Sequence, residues 1–428
     1  MQKPLKSKTK RFISIMSIIL TMIIQRPKEE EKVNSVKKWT LLYGRRKTGK
    51  TFLVRNFIKH DEYFFVKSNK NILTKDNQSI SYETFLEIMK IRLADNKTIV
   101  VDEFHRLGVD FFELLHAMKK QGRLILISST LYLAKKLINS KSPLLGLFAE
   151  IPLEIIDLKD TLRTVQKSDF DKKDKLEIAI MLREPLAIEY YNKELKAEDI
   201  IYNIITDSSK SVPALVGEIF AEETRELSGV YEGILRGIAL GKSNSGEISN
   251  YLFSKRLINK DDPSTIQQYL NNLILFGIIK RLNIFDKKKF SYKIISPLSR
   301  IFYYMDEKYN ISERKPTKSE IQSILKEVMP KIVEDNIREI LAKNYGLREN
   351  IAEEKDFGID GLLLKFKKPE IALEIKWSNM DKIDTEEIAD NLNKFNVKKT
   401  ILFVQDKDNI GENNKKLKII DIEDLTSD

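Results

Sequence analysis

Two periodicities alternate along residues 37–158. Apolar runs at 40–43, 63–66, 98–101, 123–127 and 150–156 have the length and β-branched content of strands buried on both faces. Between them, 52–58, 82–93 and 111–120 carry apolar residues at helical spacing. Strand followed by helix, repeated, predicts an α/β fold with a parallel sheet covered by helices. Residues 159–225, including 175–182 and 186–191, read as helical and predict a lid beside that sheet.

The pattern changes after 226. Helical stretches at 231–239, 246–253 and 264–275 precede two strand-like runs, 278–285 and 290–295. Asp262 before Pro263 is a strong start for the third helix, a capping carboxylate followed by a residue preset for the first turn. Three helices and a hairpin predict a winged helix. A helix over 331–344, strands over 362–366 and 371–377, a helix over 385–395 and a strand over 400–404 then predict a second, small α/β unit. The expected division is an N-terminal extension (1–36), a sheet core (37–158), the lid (159–225), the winged helix (226–312) and a terminal domain (313–428).

The first strand-to-helix junction reads Gly44-Arg45-Arg46-Lys47-Thr48-Gly49-Lys50-Thr51. Glycines at both ends let the backbone curl so that successive N–H groups point at phosphate oxygens, and the helix N-terminus adds partial positive charge. Gly44, Lys47, Thr48, Gly49, Lys50 and Thr51 are therefore candidate nucleotide ligands. Lys50 is expected to reach the β- and γ-phosphates of ATP and Thr51 to ligate Mg²⁺. The strand at 98–101 delivers Asp102 and Glu103 to the same sheet edge: Asp102 to hold the Mg²⁺ hydration shell, Glu103 to polarise the attacking water as general base. Loop and acids together predict hydrolysis. Ser128-Ser129-Thr130 end the next strand, and Ser129 either touches the γ-phosphate region or caps a helix over 131–139.

A second constellation lies near the C-terminus. Asp360 opens one strand and Glu374-Ile375-Lys376 ends its neighbour. Alternation puts Ile371, Leu373 and Ile375 on one face and Glu374 with Lys376 on the other. An Asp beside Glu-x-Lys is the minimal site of metal-dependent phosphodiesterases, the acids holding Mg²⁺ and the lysine positioning or activating water. Glu334, on the flank of the 331–344 stripe, reaches the cluster as a third metal ligand or orients one, whereas Glu339 points away. A solvated hairpin produces the same pattern without chemistry.

The 428 residues hold no cysteine and three histidines, which excludes disulfides, thiolate metal sites and cysteine nucleophiles, and leaves hard ions on oxygen ligands. The formal charge of +11 suits a nucleic-acid partner. Lys287, Lys288 and Lys289 at the hairpin tip are candidate DNA phosphate contacts. The third helix offers Gln267, Gln268, Asn271 and Asn272 but no cation, so base reading is not expected, and a purely structural arm stays open. At the N-terminus, Lys3, Lys6, Lys8, Lys10 and Arg11 precede apolar residues 12–24, a stretch short of the roughly 20 residues a spanning helix needs. Gln25-Arg26-Pro27 offers no small-residue cleavage site. Docking on the core, or a true start at Met16 or Met22, ranks above membrane attachment, and a cytoplasmic location is expected.

The order of Gly-x4-Gly-Lys-Thr loop, Asp-Glu strand, lid, winged helix and Glu/Asp/Glu-x-Lys-Trp tail resembles archaeal ATPases of the STAND branch of AAA+-like proteins that end in a PD-(D/E)xK nuclease-like domain. The resemblance spans about residues 22–428. Ile23-Ile24-Gln25-Arg26 with Glu30 is similar to that family's Phe-x-x-Arg-x-x-Glu box near the adenine, which implies a nucleotide role for Arg26. Ser142-Pro143-Leu144 before Gly146, the 231–241 stretch and Tyr269-Leu270 with Leu275-Phe276-Gly277-Ile278-Ile279 also match. Departures are Gly146-Leu147 where relatives carry Gly-Arg, Arg183-Glu184-Pro185 where they carry Gly-Gly-Pro, and Ser296-Pro297 for Asp-Pro. Loss of the arginine removes a transition-state cation, a role worth roughly 10³-fold or more in phosphoryl transfer. The resemblance implies an ATPase that acts on DNA through a Mg²⁺-dependent nuclease tail, or an ATP-gated switch, a homo-oligomer in its output, whose tail binds without cutting.

Overall fold

The computed structural model describes residues 22–37, 39–130, 146–222, 227–353, 358–378, 383–410 and 416–426. The expected helix at 131–139, Ser142-Pro143-Leu144 and most of the apolar stretch 12–24 lie outside them.

The first half comprises α1 (Pro27–Ser35), β1 (Trp39–Tyr43), α2 (Lys50–Phe57), β2 (Glu62–Val66), β3 (Ile72–Leu73), β4 (Ser79–Ile80), α3 (Tyr82–Ala94), β5 (Thr98–Asp102), α4 (Val109–Ala117), β6 (Arg123–Ser128) and β7 (Phe148–Pro152). The strands form one sheet in the order β4-β3-β2-β5-β6-β1-β7. β2, β5, β6, β1 and β7 pair in parallel. β3 and β4 are antiparallel additions, so the sheet is mixed where an all-parallel one was expected. Between β2 and the crossover helix α3 the chain folds back as a short meander. β7 is also shorter than the 150–156 run; it is an edge strand, where a Pro152 without an N–H is tolerated.

Both faces of this sheet are covered. Leu42 packs with Leu53 and Val54 of α2 on one side. Trp39 and Leu41 pack with Phe85, Met89, Phe111 and Leu115 of α3 and α4 on the other.

Four lid helices follow, α5 (Leu158–Val165), α6 (Lys172–Leu182), α7 (Ala197–Ser208) and α8 (Ser211–Glu222). Then come α9 (Gly229–Ala239), α10 (Ser245–Ser254), α11 (Gln267–Leu275) and the hairpin β8 (Ile279–Ile284) with β9 (Phe290–Ile294). Asp262 accepts a hydrogen bond from the Ser264 N–H, as its capping role requires, but Pro263–Ile266 is a 3₁₀ turn leading into α11. The chain ends with α12 (Pro297–Tyr309), α13 (Lys318–Tyr345), β10 (Arg348–Glu353), β11 (Gly358–Lys365), β12 (Lys368–Lys376), α14 (Thr385–Asn393), β13 (Lys399–Val404), β14 (Lys418–Ile420) and α15 (Ile422–Thr426).

The second sheet runs β14-β13-β12-β11-β10-β8-β9. Its β10 pairs in parallel with β8 through Asn350 opposite Asn283 and Ile351 opposite Ile284. The hairpin is therefore the edge of the terminal sheet, and residue 312 is no boundary between separate sheets. α13 is 28 residues long, runs through Pro330, and is fixed by a Thr317/Glu320 capping box and a left-handed Gly346. Lid, α9 to α13 and one face of the second sheet (Leu363, Leu373, Ile375) share a single apolar core. No described helix is long and apolar enough to cross a membrane.

Candidate functional site

β1 ends at Tyr43, and the chain curls through Gly44–Thr51 into α2. Gly49 adopts φ 89°, which a side chain strains. At Gly44 a Cβ would sit 2.1 Å from the Leu153 carbonyl oxygen, so only glycine passes. Lys50 is buried and donates from Nζ to the carbonyls of Gly44 (2.9 Å) and Arg45 (2.8 Å). Burial pushes its ammonium down to about 8. Thr48 is tucked inside the loop, its Oγ1 donating to the Arg45 carbonyl at 3.1 Å, while Lys47 is exposed.

β6 lies between the loop-bearing β1 and the acid-bearing β5. That order sets Asp102, Glu103 and Ser129 around the loop. Asp102 Oδ2 accepts from Thr51 Oγ1 at 2.6 Å and from the Tyr63 hydroxyl at 2.7 Å. Its Oδ1 is buried and has no hydrogen-bond partner. A buried orphan carboxylate oxygen beside a threonine hydroxyl fits a hard cation on oxygen ligands, so Thr51 and Asp102 fit Mg²⁺. Burial raises the Asp102 carboxyl. Glu103 turns off the strand at φ 58°, a left-handed conformation uncommon for a non-glycine residue. Its Oε2 accepts from Ser129 Oγ at 2.8 Å and lies 3.4 Å from His105 Nδ1. Burial pushes His105 down to about 4, so the imidazole is neutral at pH 7. Ser129 thus sits in the site beside the general-base candidate.

Arg26 is buried and donates to the carbonyls of Thr48 (2.9 Å) and Glu154 (3.1 Å), clamping the N-terminal segment to the loop. Its acidic partner is Glu29 at 2.8 Å. Glu30, the residue matched to the glutamate of the box, lies one step further round α1 and donates its backbone N–H to the Arg26 carbonyl.

Sequence reasoning missed the lid's part. Glu222 of α8 lies 2.5 Å from Ser129 Oγ, whose single proton it shares with Glu103, and pairs with Arg46. Glu218, one turn earlier, accepts from Arg46 Nε at 2.6 Å. Glu184 meets Arg45 at 2.5 Å with both side chains buried, and its neighbour Arg183 donates to Glu339 of α13 at 2.6 Å. Glu339, expected to point away, ties α13 to the lid and to Lys280 at 3.0 Å. The Gly-Gly departure at 183–184 was the one visible signal of these links; the Glu218/Glu222 pair reads as an ordinary helix face.

In the second sheet, β11 pairs with β12 through Gly361 opposite Leu373 and Leu362 opposite Ala372. That register brings Asp360 beside Glu374, and Asp360 Oδ2 accepts from the Ile375 N–H at 2.9 Å. Glu374 is held by Lys376 at 2.7 Å and Glu334 by Lys331 at 2.5 Å. Burial and then the Asp360 charge push the Glu334 carboxyl up to about 7, and burial followed by Glu374 raises Asp360. The four expected residues are electrostatic neighbours. Among the described residues, however, no group of three His, Cys, Asp or Glu side chains is placed to hold a metal ion. Glu334, Asp360 and Glu374 each engage a lysine or a backbone N–H through one carboxylate oxygen. Lys287, Lys288 and Lys289 are exposed at the hairpin tip.

A phosphate-binding loop, an acid-ended strand and an intervening polar-ended strand define a P-loop nucleotide-binding domain. Residues 36–160 match a family model described as an AAA domain. No curated protein matches. Among solved structures, the chain is similar to the Aeropyrum pernix ORC1 protein in complex with DNA at 14% identity, over 71% of this chain and 97% of that one, with a TM-score of 0.32. The Aeropyrum pernix ORC2 protein in ADPNP–ADP complexes aligns at 10% identity over 68% and 95%, with a TM-score of 0.38. A STAND protein with a tetratricopeptide repeat sensor, PH0952 from Pyrococcus horikoshii, aligns at 12% identity over 75% of this chain and 51% of that one, with a TM-score of 0.31.

Proposed function

We propose that the protein is an ATP-binding and hydrolysing P-loop ATPase that acts on DNA, its nucleotide state passed through the lid to the terminal sheet. The observation that carries this reading is Asp102, hydrogen-bonded to Thr51 at 2.6 Å and keeping a buried, unpartnered oxygen beside Lys50. Gly44, Lys47, Thr48, Gly49 and Lys50 bind the phosphates, and Arg26 shapes the base side of the site. Mg²⁺ on Thr51 and Asp102 supplies charge neutralisation at the phosphates. Glu103 takes the proton of the attacking water, and Ser129 orients it.

In the terminal sheet, Glu334, Asp360, Glu374 and Lys376 support either a Mg²⁺-dependent nuclease or a module that binds DNA without cutting. Carboxylates already paired with Lys331, Lys376 and a backbone N–H favour binding, and with it the ATP-gated switch. The lid contacts favour the switch as well. Glu222 occupies both Arg46 of the phosphate loop and Ser129, the residue that orients the water, so ATP must displace it. Glu184 and Arg183 then join loop to α13 through consecutive residues. Glu222→Gln should bind a fluorescent ATP analogue about tenfold more tightly, the scale of one charge-assisted contact removed from competition; unchanged affinity contradicts the gating. Mg²⁺- and Mn²⁺-dependent cleavage of single-stranded, duplex and branched DNA, with and without ATP, decides the tail. Cleavage by wild type that is lost in Glu374→Ala makes it a nuclease, and binding without cleavage in both makes it a recognition module.

A further inference from the structure

A cavity of about 150 Å³ lies where the α9–α10 turn, β9, α12, α13 and β11 meet. It opens beside Glu334 and Asp360, and its cationic lining comes from Lys293, Arg300, Lys331 and Arg338. Three of these cations converge on one carboxylate. Asp335 pairs with Arg300 at 2.5 Å through Oδ2 and with Arg338 through Oδ1, and Lys293 stands 3.6 Å from that same, already occupied Oδ1. Arg300 Nε is buried without a hydrogen-bond partner.

Lys293 lies directly opposite Lys280 across β8 and β9, a like-charge pairing that destabilises a sheet unless each charge is answered. Lys280 is answered, by Glu339 at 3.0 Å and Glu349 at 3.1 Å. Lys293, with 12% of its side chain exposed, has Asp335 as its one carboxylate within 4.0 Å among the described residues. Burial lowers its ammonium below the ordinary lysine value, although Asp335 pulls it up. A largely buried cation without a hydrogen-bonded anion is costly, and an arriving anion relieves it. Of the two acids in the lining, Glu334 is held by Lys331 at 2.5 Å and Asp360 by the Ile375 N–H at 2.9 Å.

We propose that this cavity is a phosphate subsite in which Lys293, supported by Arg300 and Lys331, holds a backbone phosphate of a DNA strand next to the Asp360/Glu374 cluster. The proposal rests on the DNA-binding reading and adds to it that the hairpin engages DNA with its inner lysine as well as its tip.

The test measures binding of a fluorescein-labelled DNA oligonucleotide against salt for wild type, Lys293→Met and Lys293→Arg. In parallel, melting temperature is followed with inorganic phosphate against chloride of equal ionic strength, in the Lys50→Ala background so that the nucleotide loop does not contribute. The expected result for Lys293→Met is about tenfold weaker DNA binding and a log–log salt slope smaller by about 0.7–0.9, one phosphate contact; Lys293→Arg keeps both. Phosphate stabilisation that depends on Lys293 in a protein that does not bind DNA sustains the subsite and overturns the DNA reading. DNA affinity and slope equal to wild type in Lys293→Met overturn the subsite. Should Lys293→Met fail to fold, absence of phosphate stabilisation in the Lys50→Ala protein overturns it.

Discussion

Each of the two sheets sets acids at strand ends beside a lysine, yet they are built differently. In the first, Lys50, Thr51, Asp102 and Glu103 come from two adjoining junctions of one α/β layer, and the loop's geometry is set by two glycines. In the second, Glu334, Asp360 and Glu374 come from a helix and two strands, and their surroundings are completed by Lys293 from the hairpin and Arg300 from α12. In the first site Lys50 donates to backbone carbonyls and Asp102 keeps an unpartnered oxygen, whereas in the second Glu334 and Glu374 are each held by a lysine. A motif confined to one junction carries its chemistry in local backbone geometry, whereas a site assembled from five elements depends on the ion network that holds them together.

Removing the centre of that network is the strongest way to separate the two. Asp335→Ala leaves Arg300 and Arg338 buried without their shared anion, a change worth about 3–5 kcal/mol. The tryptophans divide the readout, since Trp39 is buried in the first sheet and Trp377 in the second. In a Trp39→Phe background, the urea midpoint followed through Trp377 should fall steeply, while nucleotide binding survives. Equal loss at both sheets would show that they do not differ as described.

The effect of pH is smaller and has two signs. Glu334 is raised from 4.5 to about 7 by burial and Asp360, so its contribution to stability is fully present below pH 4.5 and is lost as pH rises through 7, about 3 kcal/mol in all. Asp335, its neighbour in sequence, is held far below the usual carboxylate range despite burial, because Lys293, Arg338 and Arg300 surround it. Its contribution is present above the unfolded carboxyl value and lost as pH falls. The second sheet should therefore be most stable in mildly acidic solution, and Glu334→Gln should reduce the decline toward neutrality to the part owed to Asp360, whose carboxyl burial also raises, without touching the acid limb. A decline of undiminished size in that variant assigns it to another group.

The smallest expected effect concerns the hairpin tip. Replacing Lys287, Lys288 and Lys289 by alanine should weaken DNA binding evenly across sequences and flatten the salt slope by less than one unit per lysine, as exposed phosphate contacts do. A change in sequence preference would mean that the tip reads bases.

How much was legible follows the same division. Apolar runs and helical spacing placed β1, β2, β5 and β6 and the loop to within a few residues, because strands buried on both faces leave an unmistakable pattern. The β3–β4 meander was missed: two-residue strands have no periodicity. The 28-residue length of α13 was missed because Pro330 reads as a break. The P-loop residues were visible as a motif, and Asp360, Glu374 and Lys376 as a spacing. The roles of Glu222, Glu184, Asp335 and Lys293 were not, since each depends on a partner on a different element, and nothing in a lone glutamate or lysine announces which cation or anion the fold sets against it.

The central claim is that Gly44–Thr51 with Asp102 and Glu103 binds and hydrolyses ATP. Its most direct test is ATP turnover with and without Mg²⁺ for wild type and Glu103→Gln, alongside equilibrium binding of nucleotide to both. The account predicts Mg²⁺-dependent turnover by wild type, a loss of about 10²–10⁴-fold in Glu103→Gln, and nucleotide affinity retained in both. Turnover unchanged by Glu103→Gln, or no nucleotide bound by either protein, would contradict it.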